Sequence, residues 1–126
     1  MPARTPEELD RLFARSGNAG DLEALVALYE PAAGITQAPG TIVYGEPAIR
    51  QVLTGLLARQ PTFAVEAKTV AQTGDIALTS STWSLTVAGP DGGPAKIIVK
   101  ATTVCRRQRD GTWRYLIDHV LGMEHG

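Results

Sequence analysis

Two adjacent polar residues near the end of the chain, Asp118 and His119, are the first candidates for chemistry. They interrupt a run that is otherwise apolar: Leu116 and Ile117 precede them, Val120 and Leu121 follow. A carboxyl group lowered into an apolar cavity loses hydration, its pKa rises, and it can then take or give a proton near neutral pH. The competing reading of Asp118 is an ion pair with an arginine such as Arg106 or Arg114. On a strand, adjacent side chains point to opposite faces. Asp118 and His119 therefore cannot form a dyad within one chain, and only one of them is expected to face a cavity. A lone histidine between apolar neighbours lacks metal partners, and His119 reads equally well as a hydrogen-bonded core or interface residue. Chemistry at Asp118 would need neither a metal nor an organic cofactor.

The remaining chemical candidates are weaker. Trp83 and Tyr29 are either walls of a ligand pocket or ordinary core aromatics. Tyr44, before Gly45, belongs to a pocket rim, an interface or a surface loop. Cys105 has no activating partner in sequence and reads as a small buried hydrophobe rather than a nucleophile. Arg106, Arg107 and Arg109 at a hairpin end form a solvated face or hold an acidic group at a rim. Residues 89–94 contain several glycines but no Lys-Ser or Lys-Thr ending, so they are a loop and not a phosphate cradle.

These residues need elements to position them. Thr5 can cap a first helix, with Pro6 at its first position and Glu8 completing a capping box. Leu9, Leu12, Phe13 and Ser16 follow at helical spacing, and residues 17–20 end the helix. Asp21 can cap a second helix with Leu22, Leu25, Val26 and Tyr29 on one side, stopped by Pro31. A third helix is expected over residues 47–59, its stripe running through Ile49, Val52, Leu53, Leu56 and Leu57. Short extended pieces lie around Ile35 and Val43. Four long strands follow at residues 63–73, 76–88, 96–109 and 113–121. Gly74-Asp75, Asp91-Gly92-Gly93 and Asp110-Gly111 mark the turns between them. The apolar positions of the second long strand change parity between Leu78 and Trp83, which predicts a β-bulge within residues 79–82. Helices followed by strands make the class α+β. Strands apolar on both faces need cover on both: helices on one, a second copy of the chain on the other.

Composition bounds the function. The chain has 126 residues, 44% apolar and 20% charged, the balance of one folded domain rather than a disordered segment. Twelve basic against thirteen acidic residues give a net charge of −1, so no basic field draws nucleic acid. One cysteine excludes an internal disulfide framework. No apolar run approaches the roughly 18 residues of a membrane span. The first fifteen residues carry acids and lack an apolar stretch, unlike a secretory signal, so a cytoplasmic location is expected.

Three motifs carry a family resemblance. Gly20-Asp21-Leu22-Glu23-Ala24-Leu25-Val26-Ala27-Leu28-Tyr29 is the first, Val43-Tyr44-Gly45-Glu46-Pro47-Ala48-Ile49 the second. The third is Arg106-Arg107-Gln108-Arg109-Asp110-Gly111-Thr112-Trp113-Arg114 followed by Asp118-His119. In order and spacing they resemble the NTF2-like superfamily, in particular its SnoaL-like and DUF4440-type branches and the association domain of calmodulin-dependent kinase II. The resemblance spans nearly the whole chain. It implies a single domain over residues 1–126, a cone in which a strongly curved mixed β-sheet wraps around three N-terminal helices. A pocket would lie at the open end, and the protein would be a homodimer through the sheet face.

The same resemblance tests one chemistry residue by residue. Ketosteroid isomerase uses an aspartate base, with a tyrosine and a protonated aspartate as oxyanion donors. Here the tyrosine position falls on Phe13, the base on Gln37 and the second aspartate on Thr103. Phe13 cannot donate a hydrogen bond, Gln37 cannot take a proton, and Thr103 is a weak donor, so that mechanism is not expected. If the last hairpin keeps the isomerase pairing, positions 116, 118 and 120 line the cavity, with Leu116 and Val120 around Asp118. The opposite parity, Trp113, Tyr115, Ile117, His119 and Leu121, then makes a core layer or a dimer face. The expected ligand contacts are Phe13, Tyr29, Gln37, Trp83, Thr103, Leu116 and Val120, with Asp118 and His119 as catalytic candidates.

Two functions follow. One is an isomerase, cyclase or hydrolase that works by acid–base chemistry on a small apolar or oxygenated molecule. The other is a non-catalytic ligand-binding or association module. The scaffold alone does not choose between them.

Overall fold

The computed structural model of the chain describes residues 2–125. Three helices, α1 (Pro6–Asn18), α2 (Leu22–Val26) and α3 (Glu46–Ala58), accompany six strands. The strands are β1 (Tyr29–Ala38), β2 (Thr41–Tyr44), β3 (Thr62–Thr73), β4 (Ile76–Ala88), β5 (Pro94–Arg107) and β6 (Trp113–His125). They form one curved, unclosed sheet in the order β2-β1-β6-β5-β4-β3. Only the β1–β6 pair is parallel, so the sheet is mixed and the class is α+β. No helix among the described residues is long and apolar enough to cross a membrane.

Helix α1 begins where its capping residues place it. The Thr5 hydroxyl accepts from the Glu8 amide at 3.3 Å, and the Glu8 carboxylate turns back to the Arg4 amide at 2.7 Å. Its far end is fixed to β3 by Asn18, whose side chain accepts from the Phe63 amide at 2.7 Å and donates to the Phe63 carbonyl at 3.1 Å. Gly17 allows this contact. A Cβ there would come within 2.6 Å of the Phe63 ring.

The long strands fall within two residues of the expected starts and ends, apart from the extension of β6 past Leu121. Residues 97, 99, 101, 103 and 105 of β5 and 77, 79, 81, 83 and 87 of β4 are buried against the helices. Leu9, Leu12 and Phe13 of α1 and Ile49 and Leu53 of α3 complete the core. The opposite face carries half-buried Ile76, Leu78, Ile98 and Val104.

Three expectations are corrected. Tyr29 does not extend the second helix; α2 is a single turn capped by Asp21, and Tyr29 opens β1. The parity of β4 never changes, because its pairing with β5 runs without interruption from Ile76 to Ala88. The apolar even residues Ile76 and Leu78 occupy the outer face, while small Ala77, Thr79 and Ser81 fill the inner one where α1 approaches. The bulge lies next door in β3: Thr69 pairs with Thr79 and Ala71 with Leu78, leaving Val70 as the extra, exposed residue. The third correction concerns Leu116 of β6. Cys105 pairs with Tyr115 and Val104 with Ile117, so Leu116 is the extra residue of a bulge. The inward set therefore switches parity within β6, from Trp113 and Tyr115 before the bulge to Asp118 and Val120 after it. Neither of the two regular faces read from the sequence exists intact.

Candidate active site

The concave face of the sheet, α1, α3 and the turn after β1 enclose a cavity of about 610 Å³. Phe13, Phe63, Trp83, Leu53, Leu56 and Val99 give it apolar walls. The aromatic walls brace one another edge to face: Phe13 lies 5.2 Å from Trp83 and 5.7 Å from Phe63, ring centre to ring centre. Beneath this wall the Trp83 indole donates to the Ser81 hydroxyl at 3.0 Å, and the Thr79 and Thr103 hydroxyls are hydrogen-bonded to each other.

Asp118 is the carboxyl expected at this site, and it does line the cavity. Two neighbours hold it. The Tyr29 hydroxyl donates to Asp118 Oδ2 at 2.6 Å. The Thr36 hydroxyl donates to the Asp118 carbonyl at 3.2 Å and accepts from the Val120 amide at 3.0 Å, which clamps β6 to β1 on either side of His119. Burial pushes the Asp118 pKa up, while the Tyr29 hydrogen bond and the nearby His119 pull it down. Of the two alternative arginine partners, Arg106 is engaged elsewhere, its Nε donating to Glu30 at 2.7 Å, and Arg114 makes no salt bridge to Asp118. Among the described residues no cation forms a salt bridge with Asp118.

A second carboxyl shares the cavity, and it was absent from the sequence expectations. Asp10 of α1 is 1% exposed. The Tyr115 hydroxyl donates to its Oδ1, whereas its Oδ2 has no hydrogen-bond partner among the described residues. Burial pushes its pKa up to about 6; the Tyr115 hydrogen bond opposes the rise and the charge of Asp118 adds to it. Tyr115 and Tyr29 stack with ring centres 4.9 Å apart. Both phenols are driven far above their usual pKa, chiefly by burial, so they serve as hydrogen-bond donors and not as acids. One signal for Asp10 was legible: it stands three residues before Phe13 and seven before Gly17, on the buried stripe of α1.

The other candidates distribute as follows. Phe13, Trp83, Thr103 and Val120 line the cavity with Asp118. Gln37 lines it too but is exposed, at the mouth formed by the turn after β1. His119 also borders the cavity and is exposed, without the interior hydrogen bond that Asp118 makes. Tyr29 is buried behind Asp118 and acts through it, not on the cavity wall. Leu116 lies outside the cavity because the bulge displaces it. Tyr44 is 67% exposed and folds across Gly34. Cys105 is fully buried with its pKa pushed up to about 12, chiefly by burial, which leaves no thiolate for nucleophilic work.

Comparison with known proteins agrees with this architecture. The sequence profile of the SnoaL-like domain matches residues 9–116. A search of curated proteins gives no match. Among solved structures, a proposed dehydratase from the NTF2-like family of Streptomyces avermitilis superimposes with a TM-score of 0.75 at 21% identity, covering 90% of each chain. A ketosteroid isomerase-like protein from Erwinia carotovora atroseptica gives 0.78 at 17% identity, again over 90% of each chain. A proposed calcium/calmodulin-dependent protein kinase type II association domain from Thiobacillus denitrificans gives 0.72 at 21% identity, covering 95% of this chain and 96% of the other. At these identities the likeness is one of fold.

Proposed function

The chain belongs to the SnoaL-like domain family, with the NTF2-like fold, and on that premise we propose that it is a cofactor-independent acid–base enzyme for a small, largely apolar, oxygenated molecule. Asp118 is the group that takes up and returns the proton. The observation that carries this reading is a carboxyl facing an apolar cavity, hydrogen-bonded by Tyr29 and free of a balancing arginine. An ionised Asp118 held by one phenol is a base whose basicity is raised by desolvation. Phe13, Trp83 and Val120 would hold the apolar body of the substrate beside it. The names of two fold relatives, a dehydratase and an isomerase-like protein, fall in the same class of proton-transfer chemistry.

The test is turnover of a panel of small apolar ketones, epoxides and hydroxy ketones by wild type and D118N. Asn keeps the shape and the hydrogen bond from Tyr29. The expected result is a loss of at least about a hundredfold in kcat with unchanged thermal unfolding. An unchanged rate removes Asp118 from the mechanism.

A second reading has its own observation. Ile117 on the outer face of β6 is 38% exposed and lies in register with Val104 of β5, which in turn pairs with Leu78 of β4. A homodimer joined through this face would cover it, and one fold relative bears the name of an association domain. Association without chemistry predicts ligand-dependent stabilisation, and no turnover across the panel.

A further inference from the structure

We propose that helix α3 carries a tail subsite at the mouth of the cavity: Gly55 leaves room for the ligand there, and Arg59 pairs with an anionic oxygen group at the ligand's outer end. The inference rests on the small-molecule reading above and deepens it by naming the charge the ligand carries. Gln51, Val52, Gly55 and Leu56 of α3, with its C-cap residue Arg59, border the cavity. They recur at three- and four-residue spacing and so share one face of the helix. Glycine in a helix interior weakens the helix relative to alanine, so its presence needs a reason. Packing supplies none: a Cβ at Gly55 would meet no atom within 4 Å. Conformation supplies none either, because Gly55 is not one of the glycines with positive φ. At Gly17 the Phe63 ring excludes a side chain; at Gly55 only the space of the cavity is kept open.

Charge is sorted along the cavity. Its acidic lining residues are Asp10, which is buried, and Asp118, held by buried Tyr29. Its one arginine, Arg59, is exposed. Among the described residues Arg59 forms no salt bridge, whereas Arg50, Arg106 and Arg107 are each paired with a carboxylate. The helix stops just beyond Arg59, with Gln60 at φ +51° and Pro61 next, which leaves the arginine at the rim. An anionic group carried deep into the cavity would meet the two carboxyls and lose its hydration. At the rim it keeps water on one side and gains a forked guanidinium partner. Exposed Gln37 and Gln51 add amide donors at the same mouth. The molecule that fits is amphipathic, with an apolar body against Phe13, Trp83 and Leu56 and an anionic end turned outward onto Arg59.

Two fluorophores that differ by the sulfonate alone, anilinonaphthalene sulfonate and phenylnaphthylamine, are the probes. Each is titrated into wild type, R59Q, R59K, H119Q, G55A and G55L. Wild type is expected to bind both saturably, and the sulfonate more weakly as sodium chloride rises from about 20 mM to about 500 mM. R59Q should lower the ratio of sulfonate to amine affinity by about three- to tenfold and lose most of the salt dependence, with the amine's affinity within about twofold of wild type. R59K, which keeps the charge without the fork, should fall between them. H119Q should keep the wild-type ratio. G55A should unfold about 3–5 °C higher than wild type. G55L, which fills the notch, should weaken both probes at least about fivefold while unfolding no lower than wild type. An arginine at a helix end also complements the helix dipole. That role alone predicts a lower Tm for R59Q with the probe ratio unchanged, and this result overturns the inference. So do the absence of saturable binding, an equal fall of the ratio in H119Q, wild-type affinities in G55L, or a G55A that unfolds at lower temperature. If D118N turns over the panel at the wild-type rate while R59Q still loses the sulfonate, the catalytic reading fails and this one stands.

Discussion

Replacing Asp10 by Asn should make the protein more stable, and only above a definite pH. The folded protein holds this carboxyl at a pKa of about 6, whereas an ordinary aspartate has 3.8. Below the ordinary value the group is protonated in both states and contributes nothing. Between the two values the unfolded chain releases the proton and the folded chain keeps it, so wild-type stability falls as pH rises. Above about 6 the full cost is present, about 3 kcal/mol for a shift of this size. D10N carries no such cost. The difference in unfolding free energy between D10N and wild type should therefore grow by about 3 kcal/mol from about pH 4 to about pH 8, roughly 10 °C in Tm. Any packing defect of the Asn amide is constant with pH and cancels from this difference, as do the lowered carboxylates Glu7, Glu30 and Asp110. Urea denaturation of both proteins across this range is the assay. A difference that stays constant with pH, or falls as pH rises, would refute the burial argument for Asp10.

Other consequences are narrower. Y29F removes the hydrogen bond that opposes the rise of the Asp118 pKa, so Asp118 should titrate higher still by carboxyl NMR, and the acidic limb of any rate profile should move to higher pH. G17A drives a methyl into the Phe63 ring and should cost about 1–3 kcal/mol of unfolding free energy. N18A breaks both hydrogen bonds that tie α1 to β3 and should cost about 1–3 kcal/mol, read by the same denaturation assay. L116A should leave ligand affinity within about twofold, while V120A weakens it by more, because only Val120 borders the cavity.

The fold was legible because its signals are local. Thr5-Pro6 and Asp21 mark two helix starts, and the Gly-Asp turns delimit strands whose ends the structure reproduces within a residue or two. What was hidden depends on pairing. Leu116 looks like any apolar strand residue, yet it is the bulge that lets Tyr115 and Asp118, three residues apart, face the same interior. Tyr29 continues the apolar spacing of α2, but Leu28 and Tyr29 are claimed by β6, where the Tyr115 amide donates to the Leu28 carbonyl at 2.8 Å. Asp10 was masked by chemistry: an acid on a helix near its N-terminus reads as a solvated residue even where its spacing puts it on the buried stripe, and the packing of α1 on Tyr115 makes it a buried carboxyl. Asp118 itself was found from the sequence, since a lone carboxylate among apolar strand residues requires either a cation or a cavity.

Proton exchange catalysed at that carboxyl is the most direct measure of the central claim. Small apolar ketones incubated in deuterium oxide with wild type should gain deuterium beside the carbonyl, followed by mass spectrometry, at a rate that D118N lowers at least about a hundredfold. Equal exchange by the two proteins, or none above buffer with either, would contradict the assignment of Asp118 as the proton-transferring group.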